Sequence, residues 1–98
     1  MKKTIYISGS ISGDPDYKAK FAEAEWLLKL QGYAVLNPAV LPSEGFTYEQ
    51  YMRIGIAMLM ECESICLLPC YENSEGAKYE YGIAIANGKK IIMYEDLQ

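Results

Sequence analysis

Four short apolar runs, separated by segments of helical periodicity, constrain this chain more than any other feature. They are Ile5-Tyr6-Ile7-Ser8, Ala34-Val35-Leu36, Ser64-Ile65-Cys66-Leu67-Leu68 and Lys90-Ile91-Ile92-Met93-Tyr94. None shows the apolar/polar alternation of a strand with one wet face. Runs of this kind point to strands of a parallel sheet covered by helices on both faces. Between the first two, Phe21, Ala24, Leu27, Leu28 and Leu30, with Trp26 nearby, fit a helical stripe over residues 17–31. Asp14-Pro15 resembles an N-cap and N1 pair ahead of it, and Gly32 ends it. Thr47-Tyr48-Glu49-Gln50 matches a capping box and opens a second helix to about Glu61. Ser74 is placed to cap a third helix that reaches Asn87 and stops at Gly88.

The resulting order is β-α-β-α-β-α-β. With right-handed crossovers it predicts an α/β, Rossmann-like (flavodoxin-like) three-layer α/β/α sandwich, with a mainly parallel sheet of about four or five strands. At 98 residues, without linker or repeat, the chain reads as a single domain over 1–98. Ligands of open parallel sheets settle at the carboxyl ends of the strands. Residues 8–16, 37–45 and 69–80 therefore share one rim, where function is to be sought.

Composition removes several chemistries. There is no histidine, so imidazole bases, His-based triads and His-ligated zinc are excluded. The net charge is −4 and no block of Lys or Arg occurs, which argues against a nucleic-acid polymer or an anionic membrane surface as partner. Cys62, Cys66 and Cys70 recur at a spacing of four, not the C-x-x-C of structural zinc sites. They read as small buried hydrophobes in a reducing compartment, with no metal and no cofactor expected. Met1-Lys2-Lys3-Thr4 leads directly into the first strand, and no apolar run approaches the ~20 residues of a membrane span. A cytoplasmic protein is expected.

At the rim, Gly9-Ser10-Ile11-Ser12-Gly13 is G-x-x-x-G, neither a dinucleotide fingerprint nor a P-loop. It offers hydroxyls at Ser8, Ser10 and Ser12, and equally reads as a tight turn. Ser74 and the first-turn amides after it could receive an anion. Glu80 sits in the second turn of that helix, among residues otherwise suited to packing. A lone Glu there is commonly a solvated side chain.

The motifs Tyr6-Ile-Ser-Gly9-Ser-Ile-Ser-Gly13, Gly32-Tyr-Ala-Val-Leu-Asn-Pro38, Cys62-Glu-Ser-Ile-Cys-Leu-Leu-Pro69 and Ser74-x-Gly-Ala-x-x-Glu80-x-Gly82 follow one another in this order. Together they resemble the short domain-of-unknown-function relatives of the nucleoside 2-deoxyribosyltransferases. The chain is also similar to the 2'-deoxynucleoside 5'-phosphate N-hydrolases. The resemblance implies N-glycosidic cleavage or transfer on a (deoxy)nucleoside or its 5'-monophosphate, through a Glu nucleophile at Glu80 oriented by Tyr6. By the same resemblance Ser74 and Gly76 take the 5'-phosphate and Gly9 and Ser10 line the sugar and base, with Ser8 and Asn37 expected to bind substrate beside them.

This chain departs from those enzymes at Gly55, where they carry an Asp that serves the sugar or leaving base. Glu75, Asp14 or Asp16 would then have to protonate the base. The alternative is a catalytically weak or inactive nucleotide-binding module on the same fold; a structural accessory protein would need the rim to be closed. Among the nine tyrosines, Tyr33, Tyr81 and Tyr94 suit half-buried core positions. Tyr48, Tyr51, Tyr71 and Tyr79 could stack a base or fill a subunit contact. The apolar Ile54–Met60 stretch suggests a homodimer or higher homo-oligomer, as the relatives form, or a deeply buried helix.

Overall fold

Successive side chains of β1 (Thr4–Ser8) enter two different cores, and this alternation builds the layers. The computed structural model describes residues 2–97. After β1 come α1 (Tyr17–Leu30), β2 (Ala34–Leu36), α2 (Tyr48–Met60), β3 (Ser64–Leu67), α3 (Glu75–Ala86) and β4 (Lys90–Met93). Short 3₁₀ turns occupy Pro38–Val40, Tyr71–Asn73 and Tyr94–Leu97. Ile5 and Ile7 pack with Phe21, Ala24 and Leu28 of α1. Tyr6 packs on the other face with Leu59 of α2 and Ala84 of α3. In β3, Cys66 joins the first core, and Ile65 and Leu67 the second.

The four strands are all parallel, in the order β2-β1-β3-β4. This is a Rossmann-like α/β sandwich, with α1 on one face and α2 and α3 on the other. Chain order reverses between β1 and β3, so a crevice opens beyond their carboxyl ends. Only these two central strands are buried along nearly their whole length; the edge strands β2 and β4 are half-open. Their apolar composition overstated their cover.

Local signals account for most element ends. The Thr47 hydroxyl accepts from the Gln50 N–H at 3.1 Å, and the Gln50 side-chain oxygen accepts from the Thr47 N–H at 2.8 Å. Gly32 and Gly88 follow α1 and α3 at φ of 94° and 67°, a conformation that favours glycine. Thr4 and Glu63 bridge the starts of β1 and β3: the Glu63 N–H donates to Thr4 Oγ1 at 2.9 Å and the Thr4 N–H to Glu63 Oε1 at 3.4 Å.

Three expectations are corrected. Asp14 does not cap α1, which starts at Tyr17; its carboxylate instead accepts from the Asp16 N–H at 2.9 Å and pairs with Lys20 at 2.8 Å. Trp26 and Leu30 lie 61% and 66% exposed, because Phe21, Ala24 and Leu28 already fill the buried stripe and Leu30 is turned well away from Leu28. Tyr94 leaves the sheet: the pairing ends at Leu67 opposite Met93, and Tyr94 is buried at the start of the final turn.

The cysteines are free thiols, with Cys62 and Cys66 buried. Burial pushes the Cys66 thiol up to about 12, an inert core group. No group of side chains suited to holding a metal ion occurs among the described residues, and no helix there is long and apolar enough to cross a membrane.

Truncation should separate these positions. Leu59→Ala is expected to cost about 2–5 kcal/mol, and Leu30→Ala less than about 0.5 kcal/mol, in urea unfolding monitored by circular dichroism. Similar losses would contradict this assignment of the core.

Candidate functional site

Period two along β1 turns Tyr6 and Ser8 to the same face, and α3 lays Glu80 against both. The Tyr6 hydroxyl donates to Glu80 Oε2 at 2.8 Å, and the Ser8 hydroxyl donates to Oε1 at 2.7 Å. Each carboxylate oxygen thus has one donor, across more than 70 residues of chain. Glu80 is 7% exposed and Tyr6 1%. None of the ion pairs found among the described residues reaches this carboxylate.

The electrostatics follow from that arrangement. Burial raises Glu80 above its ordinary 4.5, while the bonds from Ser8 and Tyr6 pull the other way. Tyr6 is held well above its usual 10.0, first by burial and then by the Glu80 charge and hydrogen bond. Tyr6 therefore keeps its proton and acts as a donor. At Glu80, burial favours the neutral acid and the two hydroxyl donors favour the carboxylate.

Two glycines make the approach possible. A Cβ at Gly55 would lie 2.7 Å from both Glu80 Oε2 and the Tyr6 hydroxyl oxygen. Gly55 is buried in α2, and any side chain there must displace the Tyr6–Glu80 bond. A Cβ at Gly76 would meet Met52 Sδ at 2.9 Å and the Tyr48 hydroxyl at 3.1 Å, so this glycine lets α3 close on α2. Gly9 has a similar role at the strand ends, where a Cβ would lie 2.9 Å from Leu68 side-chain carbons.

Above this carboxylate lies a cavity of about 180 Å³. Tyr6, Ser8, Gly9, Ser74, Gly76 and Glu80 all line it, so six of the expected site residues converge. Ser10 does not line it, although its neighbours Gly9, Ile11 and Ser12 do. Asn37 is also outside the lining and its polar atoms are already engaged. Its Nδ2 donates to Glu25 at 2.9 Å, and its Oδ1 accepts from the Ala39 N–H at 2.8 Å, capping the 3₁₀ turn after β2. Ser74 caps α3 by accepting from the Ala77 N–H at 3.1 Å. Its own hydroxyl hydrogen and the first-turn amides of Glu75 and Gly76 remain available to an anion.

Of the expected stacking tyrosines, Tyr48 and Tyr51 line the cavity and Tyr71 and Tyr79 do not. Tyr51 is fixed by donating to the Pro42 carbonyl at 2.6 Å. The sequence did not single out Phe21, Met52 or Leu41 as lining residues, since each reads equally as core. Gly55 left a clearer signal: a glycine inside an apolar helix costs about 1 kcal/mol against Ala and asks for a reason. Glu75, Asp14 and Asp16 lie outside the lining, with Glu75 paired to Lys78 at 3.1 Å. Glu80 is the one acidic side chain among the described lining residues, and no Lys or Arg accompanies it.

The topology and site define a class: a Rossmann-like α/β protein with a buried, doubly hydrogen-bonded carboxylate at its topological switch point. The chain belongs to a domain family of unknown function, DUF4406, whose model matches residues 3–93. A search of curated proteins finds no match.

Two measurements probe the carboxylate. Because its folded pKa is raised, Glu80 favours folding fully below about 4.5, and that contribution fades as pH rises through the folded value. Native stability should therefore fall relative to Glu80→Gln as pH rises from about 4.5, in urea unfolding at each pH. A constant difference would show that the shift is absent. Gly55→Ala should lose about 1–3 kcal/mol and raise the Glu80 pKa further, as its Tyr6 donor is displaced; carbon NMR of labelled Glu reads the second effect.

Proposed function

We propose that this chain is a nucleoside 2-deoxyribosyltransferase-like protein, cleaving or transferring the N-glycosidic bond of a (deoxy)nucleoside or its 5'-monophosphate. Glu80 is its nucleophile. The observation that carries this reading is the cavity-lining Glu80 carboxylate held by Tyr6 and Ser8, one donor on each oxygen. A nucleophile needs a fixed direction and an unspent lone pair, and single donation to each oxygen leaves both.

In the first step a Glu80 oxygen bonds to C1' as the bond from C1' to the base nitrogen breaks, and the base leaves with the electron pair. A carboxylate suits the oxocarbenium-like centre that develops. In the second step water attacks C1', releases Glu80 and gives hydrolysis; a second base gives transfer. Tyr6 and Ser8 orient the carboxylate without protonating it. The Ser74 turn and the Glu75 and Gly76 amides are suited to a 5'-phosphate, and the Tyr48 and Tyr51 rings to a base. None of these steps draws on imidazole, a metal or a cofactor.

A second reading, a non-catalytic nucleotide-binding module, is favoured by a specific observation. The expected second carboxyl position is Gly55, and its place beside Glu80 is taken by the Tyr6 hydroxyl. General acid help is worth about 10²–10⁴ in rate. The same proposal includes a cytoplasmic location, consistent with three free thiols, and a homo-oligomer. For the latter, Tyr48 at the cavity and the neighbouring Tyr79 are exposed aromatic side chains on α2 and α3.

Incubation with deoxynucleosides and their 5'-monophosphates, followed by chromatography of the free base, tests the enzyme reading. Release should be abolished in Glu80→Gln and reduced about 10–100-fold in Tyr6→Phe, the loss of one charge-assisted hydrogen bond. Ligand binding without release from any substrate would select the binding module.

A further inference from the structure

A neutral nucleoside loses its base as an anion unless a proton arrives during departure. Besides Glu80 the described cavity lining holds no carboxylic acid or ammonium to supply it, only tyrosine and serine hydroxyls, which are weak acids. Glu80 is the nucleophile, Tyr6 donates to Glu80, and no other Asp, Glu, Lys or Arg is among the described lining residues. Nor could α2 supply a carboxyl at position 55, where even a Cβ would strike Glu80 and Tyr6 at 2.7 Å. A base that already carries positive charge needs no such proton.

The surroundings favour the same kind of guest. A buried carboxylate without a cationic neighbour gains most from an incoming positive charge. Tyr17, Tyr48 and Tyr51 line the same cavity, and aromatic rings attract cations. Tyr17 packs edge-on against Phe21, and Tyr51 against Phe46, with centroids 6.4 and 5.7 Å apart. These contacts hold the rings in place without an ion pair.

Building on the glycosidase reading, we propose that the cavity takes a cationic N-glycoside, in which the heteroaromatic leaving base bears a fixed positive charge, as in a pyridinium or N7-alkylated purine nucleoside. A Glu80 oxygen forms the bond to C1', and the bond from C1' to the charged ring nitrogen breaks. Its electron pair stays on that nitrogen and neutralises the ring, so the base departs neutral without a proton. Water then bonds to C1', the ester bond to Glu80 breaks, and the water's proton goes to solvent. The products are the free sugar, the neutral base and the regenerated carboxylate.

The test has a binding arm and a turnover arm. In calorimetry, the 1-methylnicotinamide cation should bind at least about tenfold more tightly than neutral nicotinamide, and Glu80→Gln should remove the difference. In turnover, N7-methyl-2'-deoxyguanosine and nicotinamide riboside are compared with 2'-deoxyguanosine, each rate divided by that substrate's spontaneous hydrolysis. The cationic substrates should show at least about 100-fold greater acceleration. Equal, Glu80-dependent acceleration of neutral and cationic substrates would overturn this inference and leave the glycosidase reading standing. Cation-selective binding with no release from any substrate would support the cation site and overturn the glycosidase reading. Equal binding of the cation and its neutral analogue, without release, would overturn both. Should Glu80→Gln fail to fold, the comparison within the native protein still decides, and Tyr6→Phe supplies the second variant.

Discussion

The Glu80 carboxylate, buried against Tyr6 and Ser8, is the constraint on which the rest of the molecule turns. Removing an ionised carboxylate from water is costly, and no cation among the described residues offsets it here. Two hydroxyl donors at 2.8 and 2.7 Å recover part of that cost, which is why the pKa is raised less than burial alone would drive it. Both donors come from β1 and the acceptor from α3, so the interaction also fixes the helix on the sheet. Satisfying a buried carboxylate and aiming it into the cavity lining are one arrangement.

That arrangement depends on topology and on two absent side chains. The order β2-β1-β3-β4 puts β1 in the middle, where its end faces a crevice instead of another helix. Gly55 gives Tyr6 and Glu80 room to meet, and Gly76 brings the start of α3 against Met52 and Tyr48 of α2. The cavity lies between surfaces that these glycines allow to approach. With alanines at both positions, the side chains of Tyr6, Glu80, Met52 and Tyr48 would have to give way.

Much of this was legible beforehand because it is written in local rules. Apolar Ile5–Ile7 and Ile65–Leu68 announced strands of a parallel sheet, and Thr47 with Gln50 announced a helix start whose capping box is present atom for atom. The Tyr6–Glu80 contact could be named only through resemblance, and the Ser8–Glu80 bond was not named at all, since 74 and 72 residues separate the partners and no periodicity reports such contacts. Asn37 shows the opposite case. Its rim position is right, but a side chain with both a donor and an acceptor found nearer partners in Glu25 and Ala39, and this competition has no signature in the chain. Leu30 was misplaced because a helical stripe read from composition is wider than the face the sheet can cover.

Gly55 changes meaning once its surroundings are known. As a letter in the sequence it looks like a deletion, the loss of a carboxyl from an expected pair. In the fold its space is filled: the Tyr6 hydroxyl oxygen stands 2.7 Å from where a Cβ would begin, already bonded to Glu80. Restoring an acid at this position would therefore expel the donor that orients the carboxylate, and it would place a second negative charge beside the first in a cavity without cations. The two arrangements compete for the same space and would set like charges side by side. A site that keeps Tyr6 against Glu80 holds one carboxylate oriented by two hydroxyls, not a pair of carboxylates.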